Sequence, residues 1–187
     1  MKKLLIGLTG PARCGKDTVA GFLMEQGFHR VSFADPLRDA VAAILREPGP
    51  ELFSDARKDA PVSPGWPKHV TPRLLLQAIG TQGVRNHVDP RFWIWLAAEK
   101  YKASGAPVVV TDVRFLEEAE WVRENGGQIW RILRHTRAEI TGIANHASEA
   151  GLPMHPDDVL ISNNDSIEQL GYNVRQCLRR MEDDGLY

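Results

Sequence analysis

Cysteine is scarce in this chain, with two in 187 residues. That excludes a disulfide framework or a cysteine metal cluster and fits a reducing compartment. Long apolar runs are missing too: none approaches ~18 residues, so no transmembrane helix is predicted. Met1-Lys2-Lys3 leads into only a few apolar residues before Gly7 and Thr9, too few for the hydrophobic region of a signal peptide. Charge of one sign is also lacking. A formal net charge of -1 gives no basic field for nucleic acid or for an anionic membrane, and no basic stripe or nucleic-acid motif is present. No internal repeat or low-complexity tract occurs. Together these absences predict a cytoplasmic protein whose contacts with polyanions are local.

What is present is 43% hydrophobic and 25% charged content, enough for one well-buried domain over residues 1–187 and short for two. The chain is organised around Leu4 to Phe22. Leu4, Leu5, Ile6 and Leu8 form an apolar run, Gly10-Pro11-Ala12-Arg13-Cys14-Gly15-Lys16-Asp17-Thr18 follows, and Val19, Ala20, Phe22 and Leu23 supply a helical apolar face. This reads as strand, phosphate-binding loop, helix. The spacing of Gly10, Gly15 and Lys16 fits a loop whose backbone N–H groups curl around a phosphate at the positive end of a helix, with Lys16 reaching the β- and γ-phosphates. Asp17 stands where a hydroxyl residue usually serves Mg²⁺, with Thr18 one step later; a hard carboxylate oxygen can take that place, so Asp17 is the candidate metal ligand. Cys14 reads as a small filler, since phosphoryl transfer needs no thiol.

Beyond this loop, the spacing predicts a second strand over Phe28–Ala34 and a helix capped by Asp35 with Pro36 at its first position, carrying Leu37, Val41, Ile44 and Leu45 on one face. Residues 47–70 are rich in proline and form an insertion, of a length that tends to be functional. Thr71-Pro72 starts a helix that pauses near Gly80 or Gly83. Another runs from about Pro90, with Phe92, Trp93, Leu96 and Ala97 inward. Strands follow at 107–111, 128–133 and 158–161, with helices over 115–124 and 165–181. This alternation implies a three-layer α/β fold of the P-loop NTP hydrolase type, with a mainly parallel five-stranded sheet.

Ligands of open α/β sheets bind beyond the carboxyl ends of the strands. That rule selects Thr9 to Thr18, Ala34-Asp35, Asp112 to Arg114, Arg134 to Arg137, and Asn163-Asn164. Asp112 ends an apolar strand and can serve either metal or acceptor. Arg114 suits a phosphate, which its planar fork binds bidentately, and Glu118 lies one turn beyond it. Arg57, Lys58, Arg73 and Arg85 are candidate phosphate contacts on the acceptor side. Residues 135–153, with Arg137, His146 and Glu149, read as a lid that carries arginines toward a transferring phosphoryl group. His146 and Glu149 are taken as a stabilising pair of that lid, since two groups do not make a metal site.

The loop GPARCGKDTVAGFL, the stretch RLLLQAIGT with a following DPRFW, the segment TDVRFLEEAE, and the tail ASEAGLP with DDVLISNNDSIEQL together resemble the phage deoxynucleoside monophosphate kinases. The resemblance implies ATP and a deoxynucleoside monophosphate as substrates, Mg²⁺ as cofactor, and a monomer or homodimer in the host cytoplasm if the chain is phage-encoded. It places Gly15, Lys16, Asp17 and Thr18 on the donor phosphates; Arg13 and Cys14 of the loop and Arg134 and Asn163 at strand ends are further candidates on the ATP side. It places Arg57, Trp93, Asp112, Arg114 and Glu118 on the acceptor; Ala34 and Asp35 join them as strand-end candidates, and Lys16, Arg114 and Arg137 are the candidate catalytic cations. The loop and the NNDSIEQL tail are also similar to the dephospho-coenzyme A kinases, which supply an alternative reading. A nucleotide-binding module without turnover is a third, motivated by Asp17. A phosphate-monoester acceptor has a second pKa near ~6 and needs no general base, so catalysis reduces to positioning and charge neutralisation.

Overall fold

The computed structural model describes residues 3–134, 151–183 and 185. They divide into two compact units, one of Met1–Ser32 with Lys100–Tyr187 and one of Phe33–Glu99.

The first unit holds a five-stranded sheet. Its strands are β1 (Leu5–Thr9), β2 (His29–Val31), β3 (Val108–Val110), β4 (Gln128–Leu133) and β5 (Val159–Ser162), in the order β2-β3-β1-β4-β5. Every pairing is parallel, with Gly7 opposite Val110 on one side of β1 and opposite Ile129 on the other. Side chains alternate across a strand, and both faces of β1 are covered. Leu4, Ile6 and Leu8 meet α1 (Lys16–Glu25) and α7 (Ile167–Asp183) in a cluster with Val19, Leu23, Trp130, Ile132, Leu170 and Val174. The opposite face receives α6 (Leu116–Glu124). A Cβ at Gly7 would stand 2.8 Å from Ile129 and 2.9 Å from Val113, so only glycine lets this layer close on the middle of β1. Helices on both faces of a parallel sheet make the three layers that the alternation of elements implies.

The second unit contains α2 (Asp35–Leu45), α3 (Gly49–Leu52), α4 (Pro72–Gln77) and a π-helix (Ala78–Arg85). Residues Phe92 to Glu99 of α5 (Phe92–Ala103) also belong to it. Its buried residues include Leu37, Val41, Leu52, Val62, Trp93, Ile94 and Ala97.

Several boundaries differ from expectation for local reasons. β2 keeps three residues, because the chain leaves the sheet at Ser32. Asp35 does not cap α2: Ala34 occupies the cap position, and Asp35, inside the first turn, pairs with Arg38 at 3.1 Å. Thr71 does cap α4, its hydroxyl accepting from the Leu74 N–H at 3.1 Å. The expected pause at Gly80 or Gly83 is a widened turn, the π-helix, a form that recurs at functional sites. Ile94 takes the buried position expected of Leu96, which is exposed, and Ile44 also faces outward.

Candidate functional site

The parallel pairing puts the carboxyl ends of all five strands on one side of the sheet. β1, the central strand, ends there in Thr9 and opens into the phosphate-type loop. Gly10, Arg13 and Gly15 adopt positive φ angles of 140°, 61° and 104°, the left-handed geometry that turns successive N–H groups inward and strains residues other than glycine. Cys14, buried, donates its N–H to the Pro11 carbonyl at 3.3 Å. Lys16 opens α1, and its ammonium donates to the Gly10 and Pro11 carbonyls, each at 2.8 Å, which holds the positive charge over the loop. The cap position of the helix is Gly15, which has no side chain to offer its leading N–H groups. Asp17 is exposed in the first turn and Thr18 half-buried beside it.

β3 delivers the second group of residues. Past its end, the Val113 N–H donates to the Leu8 carbonyl at 3.1 Å. The turn bearing Asp112 and Arg114 therefore runs beside the end of β1. Ser32, fully buried at the end of β2, donates its hydroxyl to the Asp112 carboxylate at 2.7 Å. Glu118 is not a solvated helix glutamate: only 3% exposed, it accepts the N–H groups of Arg114 at 2.8 Å and Phe115 at 3.1 Å. It thus satisfies orphan donors at the start of α6 and fixes the backbone from which Arg114 projects.

Arg134 is exposed directly after β4, and Asn163 follows β5. The Asn163 amide donates to the Cys14 carbonyl at 2.8 Å, joining the last strand to the loop. Arg137, with residues 135–150 of the segment read as a lid, lies outside the described residues.

The remaining sequence candidates belong to the second unit. Ala34 and Asp35 start α2. Arg57 reaches Glu47 at 3.1 Å and the carbonyls of Pro61 at 2.7 Å and Val62 at 2.9 Å, which ties the insertion together. Arg73 pairs with Asp59, and Arg85, buried, donates to the Pro90 carbonyl at 2.8 Å. Trp93 is buried, its indole N–H given to the Gly80 carbonyl of the π-helix at 3.0 Å and its ring edge-on to Phe92 at 5.1 Å.

Sequence reasoning missed two features. One is Ser32, whose small polar side chain carries no motif. The other is a buried ion cluster under the first unit's far strands: Arg131 of β4 and Arg123 of α6 converge on Asp158 at 2.9 Å and 2.6 Å. Burial pushes the Asp158 carboxyl upward, but hydrogen bonds from Arg131, Arg123 and the His155 N–H, with the Arg123 charge, hold it below its ordinary value. Arg131 also donates to the Leu152 and Pro153 carbonyls at 3.0 and 2.9 Å. A charged residue inside the mostly apolar QIWRIL strand was the available signal.

Against this geometry, the sequence model of the family described as "Deoxynucleotide monophosphate kinase" matches residues 64–174. The chain belongs to this family. Members are phosphotransferases, and several relatives carry the same description. A protein of Acanthamoeba polyphaga mimivirus named putative deoxynucleotide monophosphate kinase is 30% identical, over 94% of this chain and 96% of its own length. The deoxynucleotide monophosphate kinase of Escherichia phage RB69 is 35% identical over 57% of this chain, which spans only 44% of that protein. Among solved structures, a dephospho-CoA kinase from Campylobacter jejuni superposes with a TM-score of 0.51 at 14% identity, covering 99% of this chain and all of its own, a likeness of fold alone. Among the described residues no helix is long and apolar enough to cross a membrane.

Proposed function

We propose that this deoxynucleotide monophosphate kinase transfers the γ-phosphoryl group of ATP to the 5′-phosphate of a deoxynucleoside monophosphate, giving the diphosphate and ADP. The observation that carries the reading is the left-handed loop at the end of β1, with Lys16 held over it by the Gly10 and Pro11 carbonyls in a chain of this family. The loop N–H groups and the start of α1 bind the donor phosphates, and Lys16 neutralises charge that grows on the transferring group. Arg114, its backbone fixed by Glu118, binds the acceptor phosphate through its planar fork. The acceptor arrives already ionised, so the chain supplies position and charge and no base.

Magnesium suits the oxygen donors present. Among the described residues no group of three or more His, Cys, Asp or Glu forms a protein-only cage, and Mg²⁺ characteristically uses one or two carboxylates with water and substrate phosphates. Asp17 with Thr18, or Asp112, would hold it, and it supplies neutralisation of the phosphate oxygens. A cytoplasmic location and a monomeric or homodimeric state accompany the proposal.

Coupled ADP release, with deoxynucleoside monophosphates, ribonucleoside monophosphates and dephospho-coenzyme A offered in turn, tests it. Release that depends on the deoxynucleotides is expected. Release with dephospho-coenzyme A alone, or with no acceptor, would sink the proposal.

A further inference from the structure

Asn163 stands just past the end of β5, among the residues that the strand-end rule assigns to ATP. Its surroundings describe a different task. Only the nitrogen of its amide can face a carbonyl, and that nitrogen donates to the Cys14 carbonyl at 2.8 Å. Its own N–H is in turn given to the Leu133 carbonyl at 2.8 Å. The amide is thus mounted on a strand end tied to β4, and β4 is paired to β1 as far as Thr9 opposite Arg131.

The peptide that Asn163 grips joins Cys14 to Gly15. In a trans peptide the C=O and N–H point in opposite directions, so holding the Cys14 carbonyl on one side aims the Gly15 N–H to the other. Gly15 sits at φ 104°, and Arg13, two residues earlier, is also left-handed. A peptide beside a glycine rotates at little steric cost, so a partner outside the loop helps to fix its orientation. Space reinforces the grip: a Cβ at residue 15 would collide with the Asn163 amide nitrogen, so the two residues pack with no room for a side chain between them. A loop that binds phosphate through N–H groups gains from having them aimed before the ligand arrives.

We propose that Asn163 is a positioning residue of the donor site: it locks the Cys14–Gly15 peptide so that the Gly15 N–H points at the donor phosphates, and it acts without touching the nucleotide. The proposal rests on the phosphate-loop reading given above and replaces a contact to ATP by a contact to the loop.

The two roles separate when the donor is stripped of its base and sugar. In the full-length protein with magnesium, titration calorimetry would compare ATP and inorganic triphosphate as ligands of the wild type, Asn163→Ala and Asn163→Asp. Loss of one hydrogen bond to the loop predicts that Asn163→Ala weakens both ligands by the same factor, about 10-fold, while affinity for a deoxynucleoside monophosphate stays at the wild-type value. Asn163→Asp keeps the shape but sets a carboxylate against the Cys14 carbonyl, and it should weaken both ligands further. Weakened ATP with unchanged triphosphate overturns the proposal, because the asparagine then meets the base or sugar. Wild-type affinities in Asn163→Asp overturn it too, as does a parallel loss of acceptor affinity in both variants, which marks a general structural defect. A wild type that binds neither donor removes the proposal together with the phosphate-loop reading, whereas donor binding without turnover counts only against the assigned reaction.

Discussion

The loop after β1 and the turn after β3 run side by side, yet local and distant contacts share the work differently in each. The loop draws most of its shape from its own residues: Gly10, Arg13 and Gly15 turn left-handed, Cys14 bonds to Pro11, and Lys16 folds onto Gly10 and Pro11, with a distant tie from Asn163 on the Cys14 carbonyl. The turn at Asp112 to Glu118 is fastened from a distance, by Ser32, which lies 80 positions away, and by the Leu8 carbonyl, with Glu118 closing it from below. A backbone-shaped loop suits a ligand recognised by many N–H groups, as a polyphosphate is. A side-chain-braced turn suits a few groups that must point in fixed directions, as a carboxylate and a guanidinium must.

Substitutions can break or sharpen that contrast. The largest effect is expected at the loop: Lys16→Ala should lower kcat on the order of 1000-fold with an unchanged circular dichroism spectrum. Near-normal turnover would remove the loop from the chemistry. Next comes a control outside both turns. Asp158→Asn breaks a buried, doubly paired carboxylate and should cost about 3 kcal/mol of stability at pH 7, read by urea unfolding. Because the Asp158 pKa is depressed in the folded protein, its contribution is present above the ordinary carboxylate value and is lost as pH falls through the lower folded one. The gap between wild type and Asp158→Asn should therefore close below about pH 4, and a gap independent of pH would show that packing, and not charge, was lost.

Within the acceptor turn, Arg114→Lys keeps the charge but loses the fork. It should raise KM for the deoxynucleotide by about 2 kcal/mol equivalent and leave KM for ATP nearly unchanged; equal changes would erase the division of labour between the two turns. The smallest effect is expected of Ser32→Ala, about 1 kcal/mol, again on the acceptor and not on ATP, with Ser32→Thr restoring part of it. A Ser32→Ala enzyme weakened equally toward both substrates would mean that the brace supports the whole sheet edge.

The same contrast explains what could be read from the residues alone. β1, the loop and the start of α1 were legible because an apolar run, a glycine spacing and a helical face are all local. β4 was legible to the residue, since QIWRIL is a bounded run between Gly127 and a charged exit. Ser32 was not, because its meaning lies in Asp112, and no spacing connects the two. Glu118 was placed at the right turn of α6 but its task was hidden, since a glutamate at the third helical position reads alike whether it faces solvent or closes the helix start. α5 was found but rotated: Trp93, Ile94, Leu96 and Ala97 are all apolar, so the pattern leaves the inward face undetermined until packing selects Ile94.

Arg131 also has a consequence for how this chain can change. It sits near the end of β4 and grips the carbonyls of Leu152 and Pro153 as the chain returns toward β5, so the returning chain is fastened to the strand that it left. Closure entropy grows only slowly with the number of residues spanned, about 0.6 kcal/mol for each doubling. A stretch fastened at its base can thus be lengthened, shortened or exchanged while the register of β4 and β5 stays the same. Replacing residues 135–150 by a short glycine-serine linker should leave a folded sheet, and the tolerance should vanish when Arg131 is replaced as well.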